Sequence, residues 1–494
     1  MLLVIGLMTS RRLFRVTSVR LPIPNIPLMP GEGIAGHHDE MHLLSTLNRW
    51  TLSLCGGVLC AALAACAGGP PLDLPAGDGL AGSLATLRHE PGQPASGQPG
   101  MPLSLGDLAL LVVRNNPDLR AARAQAGVAQ AQLLEAGILP NPTVTGSFLP
   151  LLAGIGSTPA WNAGIGEDIR ALLTLHARRR AAQAGADQVD AQILWQEWQL
   201  VGRAWLLAVQ LVEGGRSRQI LEQAVGFYTR RDAVSEAAVI QGNATLLSIA
   251  PDRGAMQQAM VQSRDLDQLL LQRHHALAAL MGLVPDAAFS FSSLDGLPQI
   301  DTQAVEAMLP DLSVRRPDLV ALQLGYRAEN ARLRGAILAQ FPAMVFGATG
   351  GSDNSNVRNG GPQLTLDLPI FDRNQGNIAI ARATRQQLHD EYAARLAAAS
   401  GQLQAMLSEQ TLQRRQVAAL HQELHRATDD ADAAGAALAA GNVDERSAID
   451  LIATRLNKSL ELVSIEQSVL EQQVAIVALI GFGFKPVSIP IRNG

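Results

Sequence analysis

The stretch Gln363-Leu364-Thr365-Leu366-Asp367-Leu368-Pro369-Ile370-Phe371-Asp372-Arg373-Asn374-Gln375-Gly376 changes period in its middle. Up to Leu368 the leucines alternate with polar residues, so Leu364, Leu366, Leu368 and, beyond the proline, Ile370 read as one face of a strand. From Arg373 that alternation stops and no proline occurs again until Pro486. Proline costs roughly 3 kcal/mol inside a helix, so a proline-free run of this length is free to be helical. Apolar and small residues then recur every three or four positions: Val417, Leu420, Leu424, Ala427, Ala431, Ala434 and Leu438, and later, with the polar Gln467 as an interruption, Leu456, Leu460, Val463, Leu470, Val474 and Val477. A mean spacing of about 3.5 is a coiled-coil seam. It predicts a long helix over 373–440, a turn at Gly441-Asn442 and a return helix over 447–480.

The same order of signals occurs earlier, at an offset of about 200 residues. Asn116-Pro117-Asp118-Leu119 returns as Arg316-Pro317-Asp318-Leu319, Leu139-Pro140 as Phe341-Pro342, Gly166-Glu167-Asp168-Ile169 as Leu366-Asp367-Leu368-Pro369, Gly242-Asn243 as Gly441-Asn442, and Met281-Gly282 as Ile480-Gly481. Two copies follow, 103–298 and 299–486, with a tail 487–494. In the first copy a short helix is expected near 118–138, a long one over 172–241 with the seam Leu194, Trp198, Val201, Trp205, Ala208 and Val212, and a return helix near 252–281. In the second copy a short helix is expected near 317–340. A long helix of either copy would measure about 100 Å at ~1.5 Å per residue, an elongated element that a compact domain does not need. Pro251 stands where the second copy has Asp450, so the first return helix is expected to start late or kink.

Each copy carries two strand candidates between its short and long helices, near 141–149 and 161–169 and near 343–351 and 363–370. They have the length of tilted membrane strands. Four strands cannot close a barrel, and open edges are not tolerated in lipid. Sharing between three chains would give twelve strands, enough for a water-filled lumen. The fold class is therefore mainly α with a small membrane β part.

Composition agrees. The chain has 494 residues, 47 % hydrophobic but only 4 % aromatic, which suits Ala- and Leu-rich helix seams. With 39 basic and 44 acidic side chains and a net charge of −5, no large basic surface is available, and nucleic acid is excluded as a partner class. Three cysteines are too few for a disulfide framework, and all fall in one window: Cys55, Cys60 and Cys66. From Met41, the candidate true start, a weakly basic opening leads to an apolar run over 52–63 and then Leu63-Ala64-Ala65-Cys66. This reads as a lipoprotein signal peptide over 41–65, with Cys66 as the lipid anchor. Residues 1–40 read as an extra N-terminal extension, and 66–102, rich in proline and glycine, as a flexible tether. The location expected from this leader is the bacterial envelope, lipid-anchored at the outer membrane.

The chain resembles the TolC-like outer-membrane efflux protein family. The residues that carry the resemblance are Leu103-Ser104-Leu105-Gly106-Asp107-Leu108-Ala109, Asn115-Asn116-Pro117-Asp118-Leu119, Leu139-Pro140-Asn141-Pro142 and Leu368 to Gly376. Phe371-Asp372-Arg373-Asn374-Gln375-Gly376 is similar to the heavy-metal, cobalt-zinc-cadmium branch. The resemblance implies a homotrimer, with a twelve-strand β-barrel above a long α-barrel. It also implies two partners, a periplasmic adaptor and an inner-membrane proton-driven pump of the resistance-nodulation-division type. It places adaptor docking at the tips Gly242, Asn243, Gly441 and Asn442, and a periplasmic gate among Asp444, Glu445 and Asp450. Acidic residues early in a helix also serve its dipole, and glycine also serves a plain helix cap.

No nucleophile, phosphate loop or metal cluster is evident, so neither an enzyme nor a cofactor is expected. His421 and His425 share a helix face without completing a metal motif, and His274-His275 point in different directions. Arg178-Arg179-Arg180 reads as a solvated or headgroup-level face. The competing readings are a drug or type I protein secretion duct on the same fold, and a lipid-anchored periplasmic coiled-coil scaffold without a pore.

Overall fold

The computed structural model describes residues 73–87, 102–291, 293–294, 296–443 and 445–482. The chain divides into two units, Met1–Arg11 with Leu80–Gly494, and Arg12–Gly79. Of the second unit only residues 73–79 are described, and they hold neither helix nor strand. The extension 1–40, the signal peptide 41–65, Cys66 and the tail 487–494 lie outside the described residues.

The body runs α1 (Leu105–Asn115), α2 (Pro117–Gly137), β1 (Thr143–Leu149), β2 (Ala160–Asp168), α3 (Ile169–Ile240) and α4 (Leu246–Met281). A strap holding two short helical turns, Thr302–Glu306 and Leu312–Arg315, leads to α5 (Pro317–Leu338), β3 (Ala343–Ser352), β4 (Arg358–Asp367), α6 (Gln375–Ala439) and α7 (Glu445–Leu479). The 72-residue α3 and the 65-residue α6 measure about 108 and 98 Å at ~1.5 Å per residue.

Local chemistry sets the helix ends. Ser104 accepts from the Asp107 N–H at 3.1 Å and starts α1. Asn116 caps α2 through the Leu119 N–H and gives its amide to the Leu280 carbonyl, both at 3.0 Å, which ties α2 to the end of α4. Asp168 caps α3 through the Arg170 and Ala171 N–H groups. In the second copy Arg316 stands where the first has Asn116. It makes no cap and forms a buried two-point pair with Asp318, 3.0 and 2.7 Å, with its guanidinium 4.9 Å above the Trp195 ring.

The core lies where α1, the strap and the middle of α3 meet the ends of α4 and α7. Leu105, Leu108, Val112, Val201, Ala204, Leu277, Met281, Leu312, Ile476 and Ile480 are buried together there. Two tryptophans of α3 pin it: Trp198 donates to the Ala478 carbonyl and Trp205 to the Leu105 carbonyl, each at 3.0 Å, with the rings edge to face at 6.1 Å. A buried side chain of this size contributes about 1.5–3 kcal/mol, and its N–H must find an acceptor. The helix Arg446–Leu479 is long and apolar enough to cross a membrane, but its end, Val474, Ile476 and Val477, is buried in this core.

Three expectations need correction. The first return helix does not start late: α4 begins at Leu246, with Thr245 and Ser248 forming a reciprocal cap, and Pro251 lies inside it. So near the start, the proline forfeits one bond, to the Leu247 carbonyl, and the cap holds the turn. The fourth strand begins earlier than expected, at Arg358, and ends at Asp367, so Leu368 and Ile370 lie beyond it. Pro369 has no N–H for a ladder, and the chain turns there, Ile370 N–H bonding to the Leu368 carbonyl at 2.9 Å. Finally, part of the expected tether is docked. Ala81 pairs with the chain around Leu283, and Leu84 and Leu87 are buried in the core.

Candidate functional site: the two-faced sheet and the helix tips

The four strands form one antiparallel sheet in the order β1-β2-β3-β4, so β1 and β4 each have a single partner. Alternation in β1 and β2 is blurred by glycines, and it is the register that sorts the faces. Val144 opposes Ile165, which opposes Ala348; Phe148 opposes Trp161; Glu167 opposes Phe346, which opposes Leu364; Met344 opposes Leu366. Directly paired residues share a face. One side of the sheet therefore carries Val144, Phe148, Trp161, Ile165, Phe346, Leu364 and Leu366, all exposed. The other carries Thr143, Thr145, Ser147, Asn162, Thr349, Gln363 and Thr365. Glu167, Ser352 and Arg358 share the first side toward its two ends, and the apolar residues between them are more than scattered surface hydrophobics. Leu364 and Leu366 lie on this side, whereas Leu368 and Ile370 are exposed just beyond the strand.

At the far end of the long helices the two tips have the same geometry. Gly242 and Gly441 take φ 76° and 73°, the left-handed conformation that suits glycine. Asn243 N–H reaches back to Ala238 and Gly242 N–H to Val239, at 2.8 and 3.0 Å. Asn442 and Gly441 do the same to Ala437 and Leu438, at 2.9 and 3.0 Å. Both hairpins thus close with the paired bonds of a Schellman cap. Beside the first tip, Ile240, Leu246 and Leu247 are 81, 67 and 85 % exposed.

Of the gate candidates, Asp444 and the side chain of Glu445 lie outside the described residues. Asp450 is exposed on α7, and its charge acts on Tyr228 of α3. Burial first, then Asp450 and Asp252, hold the Tyr228 phenol above its ordinary pKa. Asp252 is itself paired with Arg231 at 3.2 Å, and Arg253 with Asp232 at 3.1 Å. Sequence reasoning missed this cluster. Its signal was legible: Arg231-Asp232 before the tip is answered by Asp252-Arg253 after it, so that a one-residue offset about Gly242 sets opposite charges against each other.

The histidines do not converge. His421 Nε2 lies 3.3 Å from Glu466, His425 Nδ1 2.8 Å from Asp429, and His274 stacks on Phe289 at 4.1 Å with its pKa lowered first by burial. No group of three or more His, Cys, Asp or Glu that could hold a metal ion occurs among the described residues. Arg178, Arg179 and Arg180 are exposed.

Residues 308–482 match the outer membrane efflux protein family. The same architecture recurs in solved outer-membrane channels. CusC shares 20 % identity at a TM-score of 0.60, over 83 % of this chain and 98 % of that one. CmeC of Campylobacter jejuni shares 16 % at 0.65, over 85 % and 96 %. The outer-membrane channel OprN shares 16 % at 0.63, over 84 % and 99 %.

The fold is that of a TolC-like outer-membrane channel.

Among curated relatives, outer membrane protein OprJ of Pseudomonas aeruginosa is 34 % identical over 157 residues. That match takes in 29 % of this chain and 32 % of OprJ, so the chain spans about a third of that relative's length. CusC forms a transmembrane channel, and CmeC and OprN are outer-membrane channels. Their fold also corrects the expected location. A TolC-like channel is an integral, barrel-forming outer-membrane protein held by its own strands, so the lipid-anchored placement read from the leader is withdrawn.

Proposed function

We propose that this chain is one protomer of a homotrimeric exit duct, conducting substrate passively across the outer membrane at the end of a tripartite efflux system. The observation that carries this reading is the sheet: one face apolar between its charged ends, one face largely polar, and two edge strands with a single partner each. In lipid those edges must be closed, and β4 of one copy can pair with β1 of the next. Three copies give twelve strands with the polar face turned to a lumen. The lipid-facing residues are then Leu364 and Leu366, with Val144, Phe148, Ile165 and Phe346. The internal copies at 103–298 and 299–486 supply six similar struts to the ring below.

The tips at Gly242-Asn243 and Gly441-Asn442 are the docking points for a periplasmic adaptor, which couples the duct to a proton-driven pump of the resistance-nodulation-division type. The exposed Ile240, Leu246 and Leu247 supply the apolar contact such docking needs. Asp450, tripled around the axis, with Asp444 and Glu445 beside it, forms an acidic constriction that favours cations. Heavy-metal cations are the proposed cargo, supported by the Phe371–Gly376 stretch.

Deletion of the gene tests the cargo. Sensitivity to divalent heavy metals, with drug tolerance unchanged, is expected. Drug sensitivity alone would move the reading to a drug duct, and no change in either would remove the efflux assignment.

A further inference from the structure

We propose that the contact between α3 and α7 inside one chain is repeated between chains, with α6 of one copy seated on α4 of a second in the same register. This rests on the trimer reading above and adds which residues meet.

The long helices of the two copies share one buried stripe. Ala204, Ala208, Leu221 and Ser235 on α3 and, about 199 residues on, Leu403, Leu407, Leu420 and Ala434 on α6 are all buried. A second stripe on α3, Trp198, Trp205, Val209 and Glu213, is buried as well. Its equivalents on α6, Ala397, Gln404, Ser408 and Leu412, are exposed. Among the described residues, α7 stands over this stripe of α3, and no helix takes the equivalent place over α6.

Two contacts set the register in which α3 meets α7. Arg216 Nη1 lies 3.0 Å from Glu466 Oε2. A Cβ on Gly202 would stand 3.3 Å from the Ala478 Cβ, so the helices touch there. At the same offset these four residues become Arg415 and Gly401 on α6, and Asp267 and Ala279 on α4. All four are left over. Arg415 is exposed and has no ion pair among the described residues, and a Cβ on Gly401 would meet nothing within 4 Å. Ala279 is exposed, and Asp267 is 47 % exposed with only Oδ1 engaged, by Arg218 at 2.9 Å. Glu466 shows how such a carboxylate serves two cations: one oxygen faces Arg216 and the other His421. Asp267 holds Arg218 with one oxygen and has the other free for Arg415 of the second copy.

The two contacts are about 21 Å apart along α6, so together they fix both register and direction. Each copy offers α6 and receives on α4. The contact is therefore head-to-tail, and it closes a ring rather than a two-fold dimer.

Cysteines placed together at Gly401→Cys and Ala279→Cys test this. The equivalent internal pair has the Cβ spacing of a disulfide, about 3.5–4.5 Å after a small adjustment. Oxidation of the double variant is expected to give covalent dimers and trimers on a non-reducing gel. Each single variant should give only the background of the native Cys55, Cys60 and Cys66. Gly202→Cys with Ala478→Cys, the internal control, should close within one chain and give no ladder. Arg415→Glu should weaken assembly about two- to fivefold at low ionic strength, an effect lost in ~1 M salt, and Arg415→Lys should not. Trimers that never cross-link at 401 and 279, while the internal control does, would overturn this interface and leave the trimer standing. A protein that stays monomeric by mass would overturn both.

Discussion

Arg231 on α3 and Asp252 on α4 face each other across the first hairpin at 3.2 Å, and their neighbours Asp232 and Arg253 pair at 3.1 Å with the charges exchanged. Ser235, buried one turn further along α3, adds a hydroxyl bond to Asp252 at 3.4 Å. The hairpin is thus latched about one helical turn from Tyr228, on which the charges of Asp450 and Asp252 act. Breaking a partly buried charged hydrogen bond costs about 1.5–3 kcal/mol. Asp252→Asn should therefore speed amide exchange in the first hairpin by about tenfold or more and leave the second hairpin unchanged. Equal exchange in both hairpins would show that the latch is idle.

Tyr228 gives a pH dependence with a definite sign. Its phenol is held above the usual value of about 10, so its contribution to stability is complete below that pH and is lost as pH rises through the folded-state pKa. Asp450→Asn removes one of the two carboxylates that raise it. Ultraviolet titration in a Tyr326→Phe, Tyr392→Phe background should show the tyrosinate appearing at lower pH in Asp450→Asn than in the parent. An unchanged titration would place Asp450 away from Tyr228.

Much of this fold was legible, for particular reasons. Proline-free windows with a period near 3.5 could only be long helices, and the bounds of α3 and α6 fall within a few residues of that reading. The β4 alternation was equally plain because leucine marks every second residue. In β1 and β2 the apolar face is set by register, with Glu167 opposite Phe346, and periodicity within one strand does not reveal a partner's offset. Pro251 misled because the cost of a proline depends on how close it lies to the helix start, and the Thr245–Ser248 cap was not read. The leader led to a lipid anchor, whereas the fold carries its own means of insertion in the sheet. The tip network escaped because ion pairs across a hairpin are long-range facts until the turn at Gly242 is placed.

The sheet faces are separable by substitution. Leu364→Arg puts a charge on the apolar face, at a cost of about 2–4 kcal/mol if the site lies near the bilayer midplane. Thr365→Arg, on the opposite face, should insert normally. Heat-resistant oligomer recovered from membranes is the readout. Equal loss from both substitutions would contradict the assigned faces.

Trp205 holds the core by volume and by one bond. Trp205→Phe should lose about 1 kcal/mol with its bond to Leu105, and Trp205→Ala about 3–5 kcal/mol, read by urea denaturation. A near-equal cost for the two would assign the whole effect to the hydrogen bond.

Among the described residues, a Cβ on either tip glycine would meet nothing within 4 Å, so the requirement there is one of backbone. Gly242→Val or Gly441→Val should destabilise its hairpin by about 1–2 kcal/mol, and asparagine at the same position by less. Local amide exchange separates the two, and an innocuous valine would refute the left-handed turn.

Single-channel recording on the purified, membrane-inserted protein tests the central claim most directly. The account predicts stepwise ionic currents from particles whose mass corresponds to three chains. Inserted trimers that never conduct would contradict the duct and leave a scaffold in its place.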